Sequence, residues 1–174
     1  MKPIERIDDK STPQRDAVGH LLRALRRTPV ELERLVVGLS ESQMRIKRSA
    51  DEFSVTENLC HLRDIEIEGY KVRIERILAE DGPRLPDLDG GRLAAERDYN
   101  TQSASQALKD FEVARSENLF ILSEIQKHQL AREGHLDGVG TISLERLAGV
   151  MQEHDEGHIS ELKVLQRWLL TNTE

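Results

Sequence analysis

The chain has 174 residues with a net charge of −7, 37% hydrophobic and 33% charged residues, and 3% aromatics; this composition suits one folded domain over residues 1–174 and argues against disorder. An acidic chain with few stacking side chains and no Lys/Arg block disfavours nucleic-acid binding, and charges break every apolar stretch short of a membrane span. The single cysteine, Cys60, has no intrachain partner, and Met1 to Lys10 carries charges where a signal peptide needs an apolar run, so a cytoplasmic location is expected.

Ala17, Leu21, Ala24, Leu25, Thr28, Leu32, Leu35 and Leu39 follow the spacing of one helical face, after Ser11 as cap and Pro13 near the start. This is helix one. Pro29 lies inside it, so the helix is expected to kink there or to restart with Thr28 as a second cap. Ser40 to Ser49 reads as a connection with room for one helical turn. Helix two starts sharply, because Ser54-Val55-Thr56-Glu57 is a capping box. It is expected from Val55 to about Ala79, with Val55, Leu59, Leu62, Ile65, Gly69 and Val72 buried and His61 at the stripe's edge.

The segment from Asp81-Gly82-Pro83 through Pro86 to Gly90-Gly91 is rich in helix breakers and reads as a long crossover loop. Helix three follows from Ser103 to about Lys127, with Ala107, Leu108, Phe111, Ala114, Asn118, Ile121, Leu122 and Ile125 inward. Gly134, Gly138 and Gly140 mark a second connection that ends at Ser143, the cap of helix four. That helix runs from Leu144 to about Leu170 on a stripe of Leu147, Met151, His154, His158, Leu162, Leu165 and Leu169. No strand-like alternation of useful length is present. The fold class is therefore all-α, a four-helix bundle with a long crossover between helices two and three.

His154 and His158 stand at i and i+4, which places both side chains on one helical face at a spacing suited to one metal ion. Such pairs also arise by chance in charged helices. Here both fall on a core stripe, where imidazoles are costly unless their nitrogens find partners, and a shared ion supplies them. His61 is the best candidate for a third ligand, since it lies on the bundle-facing side of another helix. Cys60 points away from His61 and reads as a buried structural thiol. Asp64 reads as an exposed helix charge, His20, His128 and His135 as surface residues, and Arg132 as a solvated loop arginine. Ile74, with Val36 and Val37, lies outside the stripes and is available for a symmetric contact.

The segment Phe53 to Asp64, with its aromatic-Ser start and the histidine about one and a half turns into the helix, resembles helix two of the DinB-like bundle proteins. Gly140 to Leu144, followed by His154-Asp155-Glu156-Gly157-His158, resembles their last helix, with its hydroxyl-bearing start and His-x-x-x-His pair. Phe53 stands where the family usually has tryptophan, and Cys60 where a small residue is common. The resemblance implies that His61, His154 and His158 are metal ligands for a divalent transition ion such as zinc, nickel or iron, and that the protein is a homodimer.

Two functions follow from that resemblance. One is a metal-dependent enzyme acting on a small molecule, either a hydrolase or a transferase that uses a low-molecular-weight thiol. Three imidazoles leave a coordination position open, as catalytic sites require. No dedicated general base is evident beyond Glu57, Asp64 or Asp155. The alternative is a non-catalytic, stress-related metal-binding or dimerisation bundle.

Overall fold

Helix one is unbroken from Thr12 to Val36 (α1) although Pro29 lies within it. The flanking turns hold it in place, because Leu25 and Leu32 are fully buried and Thr28, 4% exposed, donates its hydroxyl to Asp155 across the bundle at 2.7 Å. Thr28 therefore starts no new helix. The computed structural model describes residues 12–172, and their side chains from Val18 onward. Ser11, the expected cap, lies outside the described residues. The connection to helix two carries the single anticipated turn, α2 (Glu41–Met44), capped by Ser40 and Gln43.

Helix two is one continuous rod made of α3 (Val55–Asp64), a π-helical segment (Ile65–Lys71) and α4 (Val72–Ala79). The π segment has a consequence for burial. Its wider turns shift the phase of the helix, which brings Ile74 inward; the buried residues after Ile65 are Glu66, Gly69, Tyr70, Arg73, Ile74 and Ile77. Val72, expected inward, is only half-buried, and Ile74, expected to be free for a partner, is fully buried. Val36 also packs partly against the core, whereas Val37 is exposed.

The crossover and the second connection are more ordered than their breakers suggest. A three-stranded sheet forms where no strand was expected, from β1 (Arg84–Leu85), β2 (Glu133–Leu136) and β3 (Gly140–Ser143). β1 pairs parallel with β2, placing Leu85 beside Leu136, and β2 pairs antiparallel with β3. The hairpin between β2 and β3 turns through Gly138 and Gly140, both at positive φ, a conformation that favours glycine. Arg132 is tied down, donating to the carbonyls of Ile77 and Glu80 at the end of α4. The crossover also contains a short helix, α5 (Gly90–Glu96), that begins at the expected glycine pair with Asp89 as its cap.

Helix three is α6 (Ala104–Glu124) and helix four is α7 (Leu144–Asn172). α1 packs against α6 and α7, and α3 against α6, giving the four-helix bundle with its long crossover. Among the described residues, no helix is long and apolar enough to cross a membrane.

Candidate metal centre

The start of α3 is fixed by the expected capping box: Glu57 N donates to Ser54 Oγ at 3.1 Å, and Ser54 N donates to Glu57 Oε2 at 2.7 Å. That cap sets the helical phase that turns His61 into the bundle, where it is 8% exposed. Phe53 packs over it with a centroid separation of 5.7 Å. His154 and His158 come from α7, one turn apart, with ring centroids 4.5 Å from each other. Their centroids lie 5.2 Å and 4.7 Å from that of His61.

One ring nitrogen from each of the three histidines lies within 4.8 Å of the others. Nε2 of His61 and Nε2 of His154 are 3.1 Å apart, whereas Nδ1 of each is buried with no hydrogen-bond partner among the described residues. His158 Nδ1 sits 2.7 Å from Oδ1 of Asn58. Desolvation, reinforced by the mutual proximity of the rings, lowers the pKa of His61 to about 4 and that of His154 to about 3. Desolvation likewise lowers His158, against the opposing pull of Glu161 and Asp155. Neutral imidazoles keep a lone pair free, which is the form that ligates.

Next to the histidines is a network of buried charges. Arg115, 1% exposed, donates to Glu66 at 2.8 and 2.9 Å and to Asp155 at 2.6 and 3.0 Å, and also to the Leu25 carbonyl. Asn118 donates to Glu66, and Thr28 to Asp155. Glu66 and Tyr70 both lie in the π segment, and Tyr70 stands edge-on to His154. Arg115 and Asp155 were legible in principle. Phe111, Arg115, Asn118 and Leu122 share one helical face, as do Met151, Asp155, Ile159 and Leu162. Glu66 was legible in the same way, since it stands at i+4 from Leu62 and i+7 from Leu59 on the inward face of helix two.

The three carboxylates considered as bases are all engaged elsewhere. Glu57 belongs to the cap and pairs with Lys47 at 3.1 Å, and Asp155 belongs to the Arg115 network. Asp64, expected to be exposed, is 4% exposed and accepts from Arg63, Arg97 and Tyr99. Cys60 is a buried thiol within reach of the Tyr99 carbonyl, and burial pushes its pKa up to about 11. His20, His128 and His135 are exposed, as expected.

Two further features shape the site. The α-carbon of Gly90 lies so close to His61 that an added Cβ would fall 2.4 Å from Cε1 and 2.6 Å from Nδ1. Gly90 does more than break a helix: it lets the crossover close against the imidazole. On the other side, a cleft of about 460 Å³ reaches His158 and Asn58 between Phe53, Val164 and Leu165 on its apolar wall and Arg48, Glu52 and Glu161 at its mouth.

A crossover-connected helical bundle that gathers three histidines from two of its long helices is of a kind suited to holding one metal ion in its core. The chain belongs to the DinB superfamily, whose family model matches residues 24–162. Among curated relatives, the uncharacterized protein YuaE of Bacillus subtilis (strain 168) is 22% identical over 143 residues, covering 74% of this chain and 86% of YuaE. Among solved structures, YfiT from Bacillus subtilis superposes with a TM-score of 0.81 at 23% identity, over 97% of this chain and 93% of YfiT. YfiT is described as a probable metal-dependent hydrolase with an unusual four-helix bundle topology. At that identity the likeness establishes the fold.

Proposed function

We propose that the protein is a metal-dependent enzyme acting on a small molecule, with His61, His154 and His158 as ligands of a divalent transition ion such as zinc, nickel or iron. The observation that carries this reading is the approach of one nitrogen from each of three buried or half-buried, neutral imidazoles to within 4.8 Å of one another. The donor set fits, because imidazole suits each of these ions. The spacing fits as well: metal–nitrogen bonds of about 2.0 Å in a tetrahedral site imply nitrogens about 3.3 Å apart, and the two Nε2 atoms stand 3.1 Å apart.

An ion held there supplies Lewis acidity and lowers the pKa of water or of a thiol, the chemistry that hydrolysis and thiol transfer both need. The chain's own residues do the rest. Phe53, Val164 and Leu165 offer a substrate an apolar wall, and Asn58 holds the His158 ring from beneath the same cleft. Glu161, on the cleft and 64% exposed, has no arginine or lysine partner among the described residues and is placed to take up a proton near His158. The description of YfiT supports hydrolysis as the first reaction to test; transfer from a low-molecular-weight thiol is the second.

The test begins with elemental analysis of protein purified without an affinity tag, followed by metal titration of the stripped protein. One divalent ion per chain is expected. His158→Ala should lose it while the far-ultraviolet circular dichroism stays helical, because the bundle's apolar stripes fold without the ion. A screen of esters, amides and thiol-reactive electrophiles, with and without added thiols, then seeks turnover that the same variant lacks. Retention of stoichiometric metal by His158→Ala would show the ligand set to be wrong. Metal binding without turnover would favour the non-catalytic bundle.

A further inference from the structure

We propose that Asn58 is a positioning residue that fixes the tautomer of His158, placing the proton on Nδ1 and leaving Nε2 as the nitrogen with a free lone pair. The inference rests on the proposed three-histidine site for its purpose, but its geometry stands on the chain alone. Asn58 Nδ2 lies 3.0 Å from the carbonyl oxygen of Ser54. A carbonyl can only accept, so the amino end of the amide faces Ser54 and Oδ1 faces His158. Oδ1 too can only accept, so the His158 Nδ1 that lies 2.7 Å away must carry the hydrogen. Asn58 is 2% exposed, so water does not compete for either contact.

The orientation originates in the helix cap. Ser54 is held by its capping box, and its carbonyl also receives the Asn58 backbone N–H at 3.0 Å. One amide thus carries the geometry of the first turn of α3 across to α7. A second acceptor, Glu161, approaches the same nitrogen, but at 3.4 Å and with a side chain 64% exposed. Its contact is longer and open to water, so it adds to the preference without setting it. The other two rings differ, because Nδ1 of His61 and Nδ1 of His154 have no partner among the described residues. Among the described residues, Asn58 is therefore the buried group that dictates which nitrogen of the cluster carries a proton. In water, imidazole favours the opposite tautomer, so the site needs such a group.

Nitrogen-15 spectra of the metal-free protein report the tautomer directly, and isothermal titration with zinc reports affinity. The wild type should show His158 protonated at Nδ1. Asn58→Leu should shift the ring toward the Nε2-protonated form and weaken zinc binding by about 10- to 100-fold, the usual effect of removing such a partner. Asn58→Asp keeps an acceptor, and should keep the tautomer and bind zinc within about threefold of wild type or more tightly. A purely structural role predicts instead that both variants lose affinity in step with stability while the tautomer stays put.

Glu161→Gln should leave the tautomer unchanged; a shift there would assign the role to Glu161 and overturn the proposal. So would a wild-type ring protonated at Nε2, a measurement that needs no variant to fold. If the wild type binds no zinc, the metal reading fails, while the tautomer measurement still decides this inference.

Discussion

Replacing Arg115 by methionine isolates the most highly charged part of the core. The guanidinium makes four hydrogen bonds, at 2.6 to 3.0 Å, to two carboxylates, and the side chains of Arg115, Glu66 and Asp155 are 1%, 1% and 3% exposed. Methionine fills much of the same volume but leaves Glu66 with Asn118 and Asp155 with Thr28 as their remaining side-chain donors. Two buried carboxylates then face each other without a cation. Removing one member of a buried ion pair costs about 3 to 5 kcal/mol, which for a chain of this length lowers the melting temperature by roughly 6 to 20 °C. Urea unfolding of the metal-free protein, followed by circular dichroism, measures the loss apart from any effect on metal binding. The triple variant Arg115→Met, Glu66→Gln, Asp155→Asn removes the charges together and should recover most of the stability. A single-variant loss below about 1 kcal/mol, the range of an exposed pair, would refute the reasoning.

Gly90→Ala should weaken metal binding more than it weakens the fold, since the new methyl group meets the His61 ring at 2.4 Å and must push it aside; titration and thermal melts of one preparation compare the two effects. The metal-free protein should lose stability as pH falls from 6.5 toward 4. The folded pKa values of His61 and His154, about 4 and about 3, lie below the ordinary 6.5, so the unfolded chain takes up protons first. At pH 5 this is on the order of 2 kcal/mol for each ring, and unfolding midpoints that stay flat between pH 7 and 5 would contradict it. A homodimer is what the family resemblance implies, and the exposed Val113 and Phe120, which share a face of α6, would offer it an apolar contact. Sedimentation should show a dimer that Phe120→Glu converts to monomer, and a wild type that is monomeric at micromolar concentration would count against it.

The sequence by itself determined the parts of this protein that depend on local spacing. Apolar periodicity placed all four long helices, the Ser54 and Glu57 box placed the start of α3, and the i, i+4 pair placed His154 and His158 on one face. His61 joined them because a single helix phase, set within two turns of its cap, decides where it points. Periodicity failed once that phase changed, since a uniform 3.6-residue repeat does not register the π segment that turns Ile74 inward. The sheet was equally hidden, because two residues of β1 carry no alternation and pair with β2 only after the crossover has brought them together. Tertiary structure alone supplied the partners that let polar groups be buried. Arg115 could enter the core only with Glu66 and Asp155 supplied by other helices, Asp64 only with Arg97 and Tyr99 supplied by the crossover, and Asn58 meets His158 100 residues further along the chain. Burying a charge or an amide is favourable only when its partners converge, and that convergence is a property of the packed bundle rather than of any local stretch.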